Sequence, residues 1–205
     1  ALLLASASFF LSPGVQAQAK ELAPDALVKS VTDEVLDIIR KDKDIKAGST
    51  RRAIELVEQK VLPHFNFTRM TALAVGKDWR QATPEQQKVL TVEFRDLLVR
   101  TYSNALTAYK NETVDYRPFK MQPGETDVTV RTQIHQAGAR QPITLDYSLE
   151  KNGNAWKVYD VVVAGVSLVT NYRSSFATEI RNGGIDGLIK TLKAKNASLE
   201  AYVKK

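Results

Sequence analysis

The chain has 205 residues, a formal net charge of +6 and no cysteine. The missing thiols exclude disulfides, thiolate metal sites and cysteine nucleophiles together. An apolar content of 43% is ordinary for a globular protein, and the length suits one domain with helical additions.

A basic balance suits acidic partners: nucleic acid, anionic lipid or acidic protein. The cations are spread along the chain, with no dense run except Lys204-Lys205, so most read as solubilising surface. Ala1 to Leu11 is almost wholly apolar, and Ser12-Pro13-Gly14 breaks it. Val15-Gln16-Ala17 and Ala17-Gln18-Ala19 both fit a small-x-small cleavage pattern. Residues 1–19 therefore read as the rear of a secretory signal, too short to span a bilayer, and residues 20–205 as one domain. Export removes nucleic acid from the expected partners.

Residues 24–41 form the first expected helix. Pro24 opens it, and Leu27, Val31, Val35, Ile38 and Ile39 recur at helical spacing. Ser49 or Thr50 caps a second helix carrying Ile54, Val57 and Val61, which stops before Pro63. Asn66, between Phe65 and Phe67, caps a short helix over 67–75 that ends at Gly76. Thr83-Pro84-Glu85-Gln86 is a capping-box start for the longest helix, about 84–110. Leu90, Phe94, Leu97, Leu98, Tyr102 and Tyr109 lie on its wide apolar stripe.

After Asn111 the period changes to two. Val114, Tyr116 and Pro118 fit an edge strand. Val128, Val130, Thr132 and Ile134 alternate with polar residues, as do Ile143, Leu145, Tyr147 and Leu149. Asn152-Gly153 signals a tight hairpin. A two-residue loop there pairs Leu149 with Trp156, Tyr147 with Val158, Leu145 with Asp160 and Ile143 with Val162. That register puts Val158 and Val162 on one face, with Asp160 as a polar intruder, and Val161 and Val163 on the other. Gly165 breaks the strand, and helices are expected over 167–181 and 185–203, separated by Gly183-Gly184. The order is helical over 20–110, sheet over 113–164 and helical over 166–203. This is an α+β chain in which a curved four-stranded antiparallel sheet closes like a cone against N- and C-terminal helices around an apolar cavity.

Catalytic and metal motifs are absent from the sequence. There is no His-Glu-x-x-His, no Gly-x-Ser-x-Gly and no phosphate loop. His64 fits a turn or packing role, and His135 an exposed strand position. Asp160 reads as a buried ion pair with an arginine, or as a general base with Tyr147 as its oxyanion donor.

Four separated stretches carry a family resemblance: His64-Phe65-Asn66-Phe67-Thr68-Arg69-Met70, Trp79-Arg80-Gln81-Ala82-Thr83-Pro84-Glu85-Gln86-Gln87, Leu98-Val99-Arg100-Thr101-Tyr102, and Gly165 to Ser174. Together they resemble the MlaC family, the phospholipid-binding component of a Gram-negative transport system also linked to toluene tolerance. The resemblance implies a periplasmic carrier of a diacyl phospholipid. It would move lipid between an outer-membrane lipoprotein–porin complex and an inner-membrane ABC transporter, maintaining outer-membrane asymmetry. It implies a nuclear-transport-factor-2-like sheet with helical additions, and neither catalysis nor a cofactor besides the lipid cargo.

On that resemblance the expected pocket wall comprises Phe94, Leu97, Leu98 and Tyr102 of the long helix. Val161, Val162, Val163, Val166, Val169, Tyr172 and Phe176 join from the strand–helix stretch, with Val75 and Trp79 near a rim. Each position also fits plain core packing. Arg100 and Arg173 are candidates for the headgroup phosphate, and each also fits a structural ion pair. An enzyme using Asp160 and an adaptor without ligand are the alternatives.

Overall fold

The computed structural model describes residues 22–203; the expected signal, 1–19, lies outside them. Helix α1 spans Pro24–Lys41 with proline in its first turn, Asp25 near its N-terminus, and Arg40 and Lys41 at its end. Each of these charges complements the helix dipole. Asp42 then caps α2, Lys43–Lys46, by accepting from the N–H groups of Asp44 and Ile45. Ser49 caps α3, Thr50–Lys60, and Asn66 caps α4, Phe67–Val75. Gly76, at φ 71°, ends α4 in a conformation that favours glycine. Helix α5, Pro84–Tyr102, starts with the complete Thr83–Gln86 capping box.

α5 is shorter than expected, and residues 103–108 continue as a 3-10 helix. A polar side chain competes for the backbone there, as Thr107 Oγ1 donates to the Asn104 carbonyl at 2.8 Å, and Thr50 Oγ1 donates to the Asn104 side chain at 3.0 Å.

The sheet has five strands rather than four, in the order β1 (Thr113–Tyr116), β2 (Asp127–His135), β3 (Ile143–Asn152), β4 (Ala155–Val163) and β5 (Val166–Ser167). All neighbouring strands run antiparallel. The added strand exists because the chain turns back at Ala164-Gly165, both at positive φ, and pairs Val163 with Val166. Ser167 Oγ then accepts from the N–H groups of Val169 and Thr170, at 3.2 and 2.9 Å. This cap starts a 3-10 turn over Thr170–Tyr172, so α6 begins at Arg173 instead of Ser167.

α6 runs Arg173–Val203 but is broken at Gly184, φ 67°. Thr191 Oγ1 donates to Glu179 Oε2 at 2.8 Å. Twelve residues would separate them by about 18 Å along a straight helix, so the two arms fold back on each other.

The β3–β4 register differs from expectation in two steps. Asn152 pairs with Ala155, so the loop residues are Gly153 and Asn154. Of these only Gly153 has positive φ, the II′ pattern with glycine first. This moves the register by two residues, which leaves Trp156 and Val158 on the face of Leu149. A bulge then places both Tyr159 and Asp160 after the Leu149–Val158 pair, with Ser148 opposite Asp160. One extra residue exchanges faces. Tyr147 faces Val161 and Leu145 faces Val163, whereas Asp160 and Val162 face Ser148 and Asp146. Val161 and Val163 therefore belong to the inner face, and Asp160 does not. Asp160 Oδ1 accepts from the adjacent Val161 N–H at 2.8 Å. Asp160 and Tyr147 lie on opposite faces, so the acid–phenol pairing is not assembled.

α1 covers the inner face of the sheet, burying Leu27 and Val28 against Val128, Val130, Leu149, Trp156 and Val158. α4, α5 and α6 form a second core around Leu90, Phe94, Val169, Phe176, Leu188 and Leu192. Phe65 packs against both cores and bridges to Val158.

Candidate functional site

Between those two cores the packing opens. One apolar space of about 200 Å³ lies between α1 and the sheet, with Leu27, Val28 and Val31 above and Ile134, Leu145 and Val158 below. Another of about 300 Å³ lies among α3, α4 and α5, against Val57, Met70, Leu98, Val99 and Val161. Val35, Val61, Phe65 and Leu106 line both, so the two spaces are lobes of one cavity. An apolar cavity of this kind offers water too few partners and suits hydrocarbon.

Polar groups are sparse along the walls. Thr32, His64 and Tyr147 reach the first lobe, and Tyr102 and Ser103 the second. Burial pushes the Tyr147 phenol well above its ordinary value, against the lowering effect of the Thr32 hydroxyl. Tyr116 is pushed up to about 12, chiefly by burial. Its Oη donates to Asp33 Oδ1 at 3.3 Å, and Lys29 both pairs with Asp33 at 2.6 Å and lies 4.9 Å over the Tyr116 ring. Burial also lowers the His64 pKa, and the charge of Lys157 adds to the effect. A Lys60–Glu34 ion pair at 2.6 Å and an Arg40 Nε to Tyr109 Oη bond at 3.0 Å complete the fastening of α1.

Leu98, Tyr102 and Val161 line the second lobe. Val163 shares the face of Val161 and packs on the sheet-side core. Val75, Phe94, Leu97, Val169 and Phe176 are buried in the helical core, with Trp79 and Tyr172 against it. Phe94 meets Tyr172 and Phe176 edge-on, both at 5.2 Å. Val162 lies on the outer face, and Val166, 54% exposed, is at the turn into β5. Arg100 pairs with Asp96 at 3.5 Å and Glu200 at 3.7 Å, joining α5 to α6. Arg173 Nε and Nη2 donate to the Leu73 carbonyl at 3.1 and 2.8 Å, fixing α6 to α4. Sequence reasoning did not assign α1, α3 and Leu106 to the wall. Their apolar stripes are visible, but periodicity does not distinguish a side chain facing a void from one facing another side chain.

A family model described as MlaC protein matches residues 29–194. The chain belongs to the MlaC family. It is 26% identical to the intermembrane phospholipid transport system binding protein MlaC of Haemophilus influenzae, over 82% of this chain and 80% of that protein. It is 27% identical to the toluene tolerance protein ttg2D of Pseudomonas putida, over 82% and 78%. The solved structure of a phospholipid-binding protein from Ralstonia solanacearum, in complex with a phospholipid, superposes with a TM-score of 0.79 at 42% identity, over 86% of this chain and 98% of that one. The matched residues run from within α1 into the folded-back arm of α6, and they include the whole lining of the second lobe and all of the first except Leu27 and Val28. No helix among the described residues is long and apolar enough to cross a membrane.

Proposed function

We propose that this chain is a periplasmic phospholipid carrier that holds acyl chains in the two-lobed cavity. The observation that carries the reading is a contiguous apolar space between α1, the sheet and α5 in a member of the MlaC family. Its relatives support it, since one is named for intermembrane phospholipid transport and another was solved with a phospholipid. The sheet and helices act as a nuclear-transport-factor-2-like cone, a reading supported by the β4 bulge, since bulges add local bend and twist to a strand. Residues 1–19 direct export, and residues 20–205 form one lipid-binding domain. Leu98, Tyr102 and Val161 are the pocket-wall residues of the sequence reading that we retain. Val75, Phe94, Leu97, Val169 and Phe176 support this wall from the helical core behind it, whereas Val162 and Val166 lie away from it.

Each buried methylene contributes about 0.8 kcal/mol. Two tails of about 15 carbons give a gross gain above the practical ceiling of roughly 18–21 kcal/mol, and ordering costs reduce it. A lipid held this way leaves slowly without help. Hand-over to an inner-membrane ABC transporter and to an outer-membrane lipoprotein–porin complex therefore involves opening of α1 from the sheet on docking. Organic-solvent extraction of the purified protein followed by mass spectrometry tests the central claim. One diacyl phospholipid per chain is expected, and a lipid-free protein from a lipid-replete host would refute it.

A further inference from the structure

Where α1 stops, α2 forms and α3 begins, residues 40–52 carry six cations and two acids, a net of +4 out of the chain's +6. Acids alternate with cations in Arg40-Lys41-Asp42-Lys43-Asp44, and the fold gives them separate tasks. Asp42 caps α2 and accepts from Arg52 Nε at 2.9 Å, while Arg52 Nη1 donates to Glu55 at 3.1 Å. Lys41 pairs with Asp37 at 2.7 Å, and Arg40 Nε donates to Tyr109 Oη at 3.0 Å. Lys43, Lys46 and Arg51 are exposed, and their side chains have no hydrogen-bond or ion-pair partner among the described residues. The Asp44 carboxylate is the one acid of this stretch in the same condition. Ile45, fully buried, pins the stretch to the core of Val35, Ile39 and Leu56, so the unpaired cations stand on a fixed base.

We propose that this end of the molecule docks on an anionic bilayer surface. Lipid phosphates match a set of unpaired cations, and each exposed cation close to such a surface strengthens binding about fivefold. An acidic protein would match the charge as well, but specific protein interfaces centre on buried apolar or aromatic anchors. None of the large exposed apolar side chains lies in residues 40–52. The surface therefore suits reversible electrostatic contact without insertion. Val35 packs in the same core as Ile45 and lines both lobes, so docking here brings the end of α1 and the cavity wall to the membrane. This docking face goes beyond the carrier reading, and its binding is measured apart from cargo.

The test sediments the lipid-loaded full chain with vesicles of phosphatidylglycerol and, separately, of phosphatidylcholine at low salt. The protein should bind the first and not the second, and added salt should release it, because exposed charges are screened. Lys43→Gln, Lys46→Gln and Arg51→Gln together should weaken binding about a hundredfold. A matched control, Lys190→Gln, Lys193→Gln and Lys195→Gln, removes the same charge from exposed positions on the second arm of α6 and should weaken it less than about fivefold. Lys43→Arg, Lys46→Arg and Arg51→Lys together keep the charge and should keep the binding. Equal losses in the two neutralised variants would assign the attraction to net charge and overturn the docking face, as would equal sedimentation with both kinds of vesicle. A wild type that ignores both vesicles but is held on immobilised polyglutamate through the same three cations overturns the bilayer in favour of an acidic protein. Each of these failures leaves the lipid content of the purified protein, and with it the carrier reading, untouched.

Discussion

On the α4–α5–α6 side, Leu90 and Phe94 are fully buried, and the rings of Phe94, Tyr172 and Phe176 fill the space between helices. On the α1 side, Leu27 and Val28 pack on the sheet, but side chains of the same kinds also line an open space, and the rim of the helix is held by polar contacts of Lys29, Glu34 and Arg40. Exposed ion pairs of this type contribute about 0–1 kcal/mol each, against several for a filled core position. One half of the molecule is built to stay closed, and the other has a wall that can be lifted. A matched pair of truncations tests the difference most sharply. Leu90→Ala leaves a new cavity in a filled core and should cost about 3–5 kcal/mol in denaturant unfolding. Leu145→Ala, at a partly buried position, enlarges a space already present and should cost about 2 kcal/mol, the low end of the same range. Equal losses would erase the distinction between the halves.

Filling the open half should separate stability from cargo. Leu106 lines both lobes, so Leu106→Trp blocks their junction. Overpacking a filled core costs about 1–3 kcal/mol, and a void absorbs part of that. The expected outcome is a protein with near-normal thermal stability and about tenfold less co-purifying phospholipid, equivalent to about 1.4 kcal/mol of binding. Normal lipid content in this variant would move the binding site elsewhere. The rim of α1 gives a smaller, pH-dependent effect. The pKa of Tyr116 is about 12 in the folded state, and an unfolded tyrosine titrates near 10. The folded state holds that proton more tightly, so the stabilisation is complete below about pH 10 and disappears as pH rises towards 12. Tyr116→Phe should flatten part of this alkaline loss in thermal melts, with the raised phenols of Tyr147, Tyr159 and Tyr172 contributing to the remainder.

Elements whose cause is local were legible in the sequence. Pro24, Ser49, Asn66 and the Thr83–Gln86 box place four helix starts, because each satisfies or removes backbone donors within a single turn. The alternation in β2 and β3 likewise assigned the inner face correctly. The bulge at Tyr159 was not legible. Nothing in Val158-Tyr159-Asp160 signals an extra residue, and its cause lies far along the chain. Tyr159 Oη donates to Asp127 Oδ1 at 2.6 Å, and the Arg69 guanidinium stacks 3.5 Å over its ring. Those tertiary contacts hold Tyr159 out of the alternation and move Val161 and Val163 to the inner face. The wall of the site was legible in composition but not in position, because α5 presents Phe94 to a filled core and Leu98 to an open lobe four residues later.

His64 gives the smallest expected effect, and it links the two halves. It follows the end of α3, lines the first lobe, and lies beside Phe65, which packs on both cores. Burial and then the charge of Lys157 hold its pKa below the ordinary 6.5, so the folded state prefers the neutral ring. A depressed histidine contributes its stability above the unfolded pKa and loses it as pH falls through 6.5 towards the folded value. His64→Gln should therefore reduce the drop in melting temperature between about pH 7 and pH 5, with little change at pH 8. Acyl chains in the first lobe would desolvate the ring further and depress its pKa more. The acid-side loss should then be larger for lipid-loaded wild type than for delipidated protein, and lipid should be retained less well at pH 5. An acid limb identical in loaded and delipidated protein would place the cargo away from His64 and leave the α1 lobe empty.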